Sequence, residues 1–297
     1  MLMKKIKIST QSVILGLFML PTALLMAAEK VDREIDLSGN PKIKFFNLRG
    51  SVEIKGWDKK ILHIKGVLDE ESTGLVLEEK GEVFIVKVKM PRRISPKKGS
   101  KLVIFVPIKS TVRALGVNSS WDVQGVADIS INSVSGEIIV ASSSGDVELE
   151  VVSAPVTVKT VAGSLDVNSL SGIITVADIE GAVSLSTVEG ELKFTQPIIN
   201  SARLNSVNGT IFVNGELSKH GNLSVTSIDG DVFLKVGTST DLNCDLKALH
   251  GGKIINYLDV AGTESKQFMG KHFSLIIGDG EAKVEATTIS GTIHLQD

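Results

Sequence analysis

One short phrase recurs along this chain and limits what it can fold into: a glycine, then aliphatic or aromatic residues two and four positions later. Gly136 leads to Ile138 and Val140, Gly145 to Val147 and Leu149, Gly163 to Leu165 and Val167, and Gly172 to Ile174 and Val176. Gly181 and Gly190 continue the series with Val183, Leu185, Leu192 and Phe194, and the phrase returns at Gly50, Gly209, Gly230 and Gly291. A two-residue apolar spacing is the periodicity of a strand with one buried face. A fixed phrase returning along a chain is a stacked repeat.

The spacing sets the unit. Glycines fall nine apart at 136 to 145, 163 to 172, 172 to 181 and 181 to 190, and later intervals stretch to 19 and 21 residues, each holding a second strand. The expected repeat is therefore two strands per 18 to 21 residues. A strand of about six residues spans roughly 20 Å, so each nine-residue step supplies one strand and a sharp corner. Glycine suits such corners because it accepts positive φ and close backbone approach. One coil buries too little to stand alone, so stability must come from neighbouring coils. The fold class expected is all-β, a β-solenoid of β-helix type with short strands and glycine corners. Aromatic residues make up only 4% of the chain, which agrees with short Val- and Ile-rich strands.

Three segments follow in order. Residues 1–28 place Lys4, Lys5 and Lys7 before the apolar run Val13 to Met26 and close on Ala27 and Ala28, the pattern of an export signal. The run contains Pro21 and is shorter than the roughly 20 residues a membrane span needs, so no stable transmembrane anchor is expected. The expected destination is periplasmic, secreted or cell-surface. Residues 29–126 form a less regular β region, with strands expected at 42–46, 51–55, 60–67, 75–79, 82–90 and 101–107, continuous with a repetitive solenoid over 127–297. The phrase falters at Gly251, where Lys253 takes the aliphatic position; a bulge turning Ile254 inward would restore it. Residues 258–272 leave the repeat as a loop or a cap.

Charge divides with position. Residues 29–128 carry 19 basic and 14 acidic side chains, whereas residues 129–297 carry 10 and 20. An acidic repeat argues against a nucleic-acid partner. The basic residues concentrate in one interrupted run that includes Arg92, Arg93, Lys97 and Lys98, a loop suited either to solvation or to an anionic envelope polymer or lipid headgroup. Trp57 and Trp121 sit at a strand end and a strand start. Each offers an aromatic face to a sugar ring or caps the open end of a core. With the four basic residues they are the candidate ligand contacts. Cys244 is the only cysteine and shares parity with Leu242 and Leu246, which predicts a buried side chain and excludes an intramolecular disulfide.

Arg49-Gly50-Ser51-Val52-Glu53-Ile54-Lys55-Gly56-Trp57-Asp58, then Leu102 to Pro107, then the Ser-Val-Ser-Gly-Glu-Ile and Ser-Ser-Ser-Gly-Asp-Val phrases, together resemble the bacterial putative adhesin family of exported β-solenoid proteins. The likeness covers nearly all of residues 35–295. It implies a cell-envelope or surface interaction role and brings no reaction and no cofactor.

An enzyme reading needs clustered acids or a metal on one face of adjacent coils. The corner carboxylates Glu180, Glu189, Glu191, Asp229, Asp231, Asp279 and Glu281 are the candidates, for acid catalysis or for calcium. The Gly-Gly-x-Gly-x-Asp pattern of calcium-binding β-rolls is missing, the five histidines are dispersed, and no Gly-x-Ser-x-Gly, Walker or dinucleotide motif occurs. The expectation is a non-catalytic envelope-binding, adhesin-like or scaffolding protein without metal or cofactor. The alternatives are a carbohydrate-active β-helix enzyme and a self-assembling structural solenoid.

Overall fold

The computed structural model describes residues 29–93, 98–237, 241–267 and 270–297. The signal-like segment 1–28 and Lys97 lie outside the described residues. The chain opens on β1 (Lys30–Asp36), β2 (Lys42–Trp57), β3 (Ile61–Val67), β4 (Leu75–Lys80), β5 (Val83–Val88), β6 (Ser100–Pro107) and β7 (Thr111–Gln124). The regular part follows as β8 (Ile129–Ser135), β9 (Ile138–Ser143), β10 (Val147–Ser153), β11 (Val156–Val161), β12 (Leu165–Ser171), β13 (Ile174–Ile179) and β14 (Val183–Glu189). Two long strands, β15 (Leu192–Asn208) and β16 (Ile211–Asp229), turn a corner without a break. The chain closes with β17 (Val232–Val236), β18 (Leu242–Leu249), β19 (Lys253–Asn256), β20 (Thr263–Gln267), β21 (Gly270–Ile277), β22 (Ala282–Thr288) and β23 (Thr292–Gln296). Among the described residues no helix is long and apolar enough to cross a membrane.

Each coil has two faces. On the first, β8, β10, β12 and β14 stack in parallel, with Ile129, Val147, Leu165 and Val183 in one inward column, and Ala202 of β15 and Leu223 of β16 extend it. The steps along that column are 18, 18, 18, 19 and 21 residues, the spacing expected from the glycines. On the second face β9, β11, β13 and the first halves of β15 and β16 do the same. Between the faces one apolar core runs from Val31 to Leu295. The lengthening at the 21-residue coil falls at residues 218–221, where β16 slips against β15. At the preceding bulge Gln196 replaces a backbone rung: its buried side chain accepts from Ile179 N at 2.8 Å and donates to Ile179 O at 2.7 Å.

The two corners use glycine for different physical reasons. At Gly190, between β14 and β15, φ is +125°, and a Cβ there would stand 2.1 Å from the Gly172 carbonyl oxygen of the next coil. At the opposite corner the left-handed turns are made by Ser142, Thr160 and Asp178, all at φ 57° and 18 residues apart. Gly163 on that side is required by closeness alone, since its Cβ would meet the Gly145 carbonyl at about 2.5 Å.

The N-terminal region is itself coiled. β2 and β7 each cover both faces and pair in parallel over nearly their whole length, from Lys42 beside Thr111 to Lys55 beside Gln124. Sequence order breaks at both ends of the stack. The β5–β6 coil lies outside β2, although it follows it in the chain. Likewise β22 and β23 slot between the β16–β17 coil and the β18–β19 coil that precedes them. Antiparallel strands then close the stack, β4 on β5 and the β3–β1 pair on β6 at one end, and the β21–β20 pair on β18 at the other. The 258–272 excursion thus contributes to a cap. At the faltering phrase, Lys253 N bonds Gly291 O and Ile254 pairs with Ile293. Gly252 is therefore the corner residue, and Gly251, at φ +94°, is the extra one.

A groove along the first face

Just before the corner at the end of the first face, the residues alternate in a way that exposes an aliphatic side chain in every coil. In β8, Ile129, Ile131 and Ser133 point inward, so Val134 points out. The same parity holds in neighbouring coils, and the register places Val117, Val134, Val152, Leu170, Val188, Val207 and Ile228 side by side. These seven are between 39% and 52% exposed. At about 4.8 Å per rung the column is about 29 Å long. It forms one wall of a groove of about 1180 Å³; the other wall is the row two residues earlier, from Leu115 through Asn132, Glu150 and Asn168 to Asn205.

Several polar groups of the groove are bonded within the sheet, whereas Asn47 Oδ1 and Ser206 Oγ in its lining are buried without a hydrogen-bond partner among the described residues. Ser133 and Ser169 donate their hydroxyls at 3.1 Å to the carbonyls of Ser135 and Ser171, and Thr187 donates to Glu189 O at 3.0 Å. The amide of Asn132 donates to the Glu150 carboxylate, that of Asn168 to Asp166 Oδ1 at 2.8 Å, and that of Asn205 to Ser186 Oγ at 3.4 Å.

At the N-terminal mouth the chemistry changes. Phe46, Leu48, Lys87, Val88 and Met90 line it. The ammonium groups of Lys44 and Lys87 stand 5.0 and 5.7 Å from the centre of the Phe46 ring. Arg92, Arg93 and Lys98 are exposed on the segment that continues from Met90. Of the basic run, Lys87 lines the groove, and Arg92, Arg93 and Lys98 are not among its lining residues.

The tryptophans are placed elsewhere. Trp121 is 1% exposed, in the inward column between Val52 and Ile138, which corrects its candidacy as a ligand contact. The reason is parity: Trp121 alternates in phase with the buried Val123. Trp57 is half-buried at the end of β2 on the second face, and its Nε1 donates to Ile61 O at 2.7 Å. Its ring packs on Phe105 at 5.1 Å, and Lys59 Nζ lies 4.8 Å from its centre. Nearby, His63 Nε2 lies 2.7 Å from Asp32 and its Nδ1 3.2 Å from Glu34, so this corner is held by contacts within the chain.

Three of the corner carboxylates work between coils. Asp231 accepts from Thr292 N at 2.8 Å, Asp229 from Ser290 Oγ at 3.2 Å, and Glu281 pairs with Lys219, whereas Glu191 pairs with Lys193 of its own coil. Among the described residues no three His, Cys, Asp or Glu side chains converge as a metal site would require. Cys244 is fully buried, and burial pushes its thiol up to about 12.

The aliphatic column was legible in the sequence and passed over. An aliphatic residue stands two before the glycine at 134, 170, 188, 207 and 228, out of phase with the buried set.

The sequence profile of the Toastrack DUF4097 family matches residues 47–296. No curated protein matches the chain in sequence. Similar solved structures include a putative lipid binding protein from Parabacteroides distasonis, 14% identical, TM-score 0.44, covering 90% of this chain and 97% of that one. A putative adhesin from Bacteroides fragilis is 11% identical, TM-score 0.41, covering 91% and 98%. A putative adhesin from Parabacteroides merdae is 13% identical, TM-score 0.41, covering 91% and 97%.

Proposed function

From the premise that the chain belongs to the Toastrack DUF4097 family, we propose that it is an exported, non-catalytic binding protein of the cell envelope, adhesin-like in role, whose contact surface is the first-face groove. The observation that carries this reading is the column of seven exposed aliphatic side chains in register. A continuous apolar strip of this kind on a folded surface marks an interaction site. Residues 29–126 supply the cationic mouth and residues 127–297 most of the groove's length. Export is supported by the basic-then-apolar segment at the start of the sequence.

The test is sedimentation of the purified protein with isolated envelope material, measuring protein retained and sugar or peptide released. Saturable retention without release, lost in Leu170→Asp, is expected. Release that grows with time, or retention indifferent to Leu170→Asp, would overturn the reading.

A further inference from the structure

We propose that the groove takes one long-chain aliphatic amphiphile with an anionic head group, its chain laid along the column from Val117 to Ile228 and its head at Lys44, Lys87, Arg92 and Arg93. This rests on the groove being the binding surface, and it names the class of occupant.

The groove's chemistry selects against other occupants. Its backbone belongs to the interior of a parallel stack, paired on both sides from β7 to β15, so no free edge is offered to an added strand. A peptide lying there would press its own N–H and C=O groups against valine and leucine, and polar groups removed from water without partners are costly. A sugar chain needs a regular row of free donors and acceptors, whereas Asn132, Asn168 and Asn205 each commit an amide N–H within the sheet and Ser133, Ser169 and Thr187 their hydroxyl hydrogens. A hydrocarbon chain asks for none of this.

Size agrees. The two walls are rows two residues apart on the same strands, roughly 6.6 Å between their Cα positions, which is too narrow to admit a bilayer surface. An extended chain advances roughly 1.2 Å per bond, judged from 3.3–3.6 Å per three-bond residue, so 16 to 18 carbons reach about 20 Å and fit within the column.

Charge sets the direction. Lys44 and Lys87 flank Phe46 at the mouth and form no ion pair among the described residues. Arg92 and Arg93 are exposed five and six residues after Lys87 in the chain. Beyond Ile228 the stack continues into β22, where Thr288 lies beside Ser227, and among the described residues no lysine or arginine other than Lys87 lines the groove. An anionic head is therefore favoured at the first end.

The experiment titrates the full chain with monomeric cis-parinaric acid, an 18-carbon polyene acid that fluoresces on leaving water, and displaces it with saturated acids of increasing length and with hexadecanol. Expected are saturable one-to-one binding and competition that strengthens roughly two- to fourfold per added CH2 until the column is filled. Leu170→Asp and Val152→Asp, both surface changes, should weaken binding at least tenfold, while Ile198→Asp, exposed outside the groove, should leave it unchanged. Lys87→Glu should weaken the acids severalfold and hexadecanol hardly at all. Absence of saturable binding, binding to lipid vesicles without binding of monomers, or insensitivity to both Leu170→Asp and Val152→Asp would overturn the proposal. If the acid fails to bind while Leu170→Asp still abolishes envelope retention, the amphiphile is wrong and the envelope-binding reading stands.

Discussion

Replacing Gly190 by alanine tests whether coil-to-coil closeness at the corner determines the stability of this fold. Two costs are involved. The first is conformational: φ is +125°, where an L-residue costs about 1–3 kcal/mol. The second is steric. The new Cβ would lie 2.1 Å from the Gly172 carbonyl oxygen, so the two coils must part by about an ångström to restore contact distance. The hydrogen bonds beside that point, Gly172 N to Glu189 O at 3.2 Å and Ile174 N to Glu191 O at 2.9 Å, would stretch, at about 1 kcal/mol each. The sum is about 3–5 kcal/mol. Gly74→Ala separates the two costs, because Gly74 has nearly the same φ, +119°, with nothing within 4 Å of its Cβ position. The assay is urea unfolding of both variants, with amide exchange at Ile174 and Leu192 as the local readout. With an m-value of about 3 kcal/mol/M, the additional 2 kcal/mol places the Gly190→Ala midpoint about 0.7 M below that of Gly74→Ala. Coincident midpoints, with unchanged protection at Ile174, would refute the argument that closeness rather than φ fixes glycine here.

Arg49→Met withdraws the guanidinium that bonds Asp69, whose side chain is 1% exposed, and Glu71; a loss of about 3–5 kcal/mol in unfolding free energy is expected, only partly recovered when Asp69→Leu is added, because Asp69 also accepts from Glu71 N. Burial alone would raise the pKa of Asp245, but hydrogen bonds from Lys247 and His272 outweigh it and hold the carboxyl below its ordinary value of 3.8. Its stabilisation is therefore complete above that value and lost as pH falls through the lowered one, so amide protection in β21, taken relative to the intrinsic exchange rate at each pH, should fall below about pH 4 in the native protein and much less so in Asp245→Asn. Cys244 should resist alkylation at pH 8 in the folded state and react once the chain is unfolded, as its burial and its raised thiol pKa require. Deleting residues 282–297 removes the coil that lies between two others and should abolish the cooperative urea transition of the C-terminal coils; a transition unchanged in midpoint would contradict the observed strand order.

The coil length was legible because glycine marks each corner and alternation marks each face: Ile129, Val147, Leu165 and Val183 stack at the spacing the glycines announce. Less was visible where other residues do the corner's work. Residues 29–126 read as irregular because the first-face corner of β7 passes through Asn118 and Ser119 rather than glycine, while Asn47 bonds Ser119 Oγ to tie that corner to the next. Trp121 was open to misplacement because its position at a strand start drew attention away from its phase with Val123. The groove went unseen for a related reason: Val134 or Leu170 taken singly is an ordinary exposed aliphatic. Only the 18-residue register turns such residues into a column. Strand order at the ends was not legible at all, since it depends on pairings between residues about 60 positions apart, such as Val232 with Ile293, that leave no local periodicity.

The strand order at the two ends bears on the proposal that the groove, rather than an end, is the contact surface. A parallel stack that stopped abruptly would present unpaired backbone to another stack. Here the end coils, β5–β6 and β18–β19, are laid over neighbours that are not their sequence neighbours. Antiparallel strands then cover β5, β6 and β18, while β19 pairs with β23 alone among the described residues, and a further parallel coil cannot continue through β4 or β20 in the same direction. End-to-end growth is opposed by topology at both ends of the first face. Exposed apolar surface in register is then concentrated along the side of the stack, in the column from Val117 to Ile228, beginning beside the cations of β2 and β5. An occupant of the groove held as proposed therefore lies along the stacking axis and contacts several coils at once.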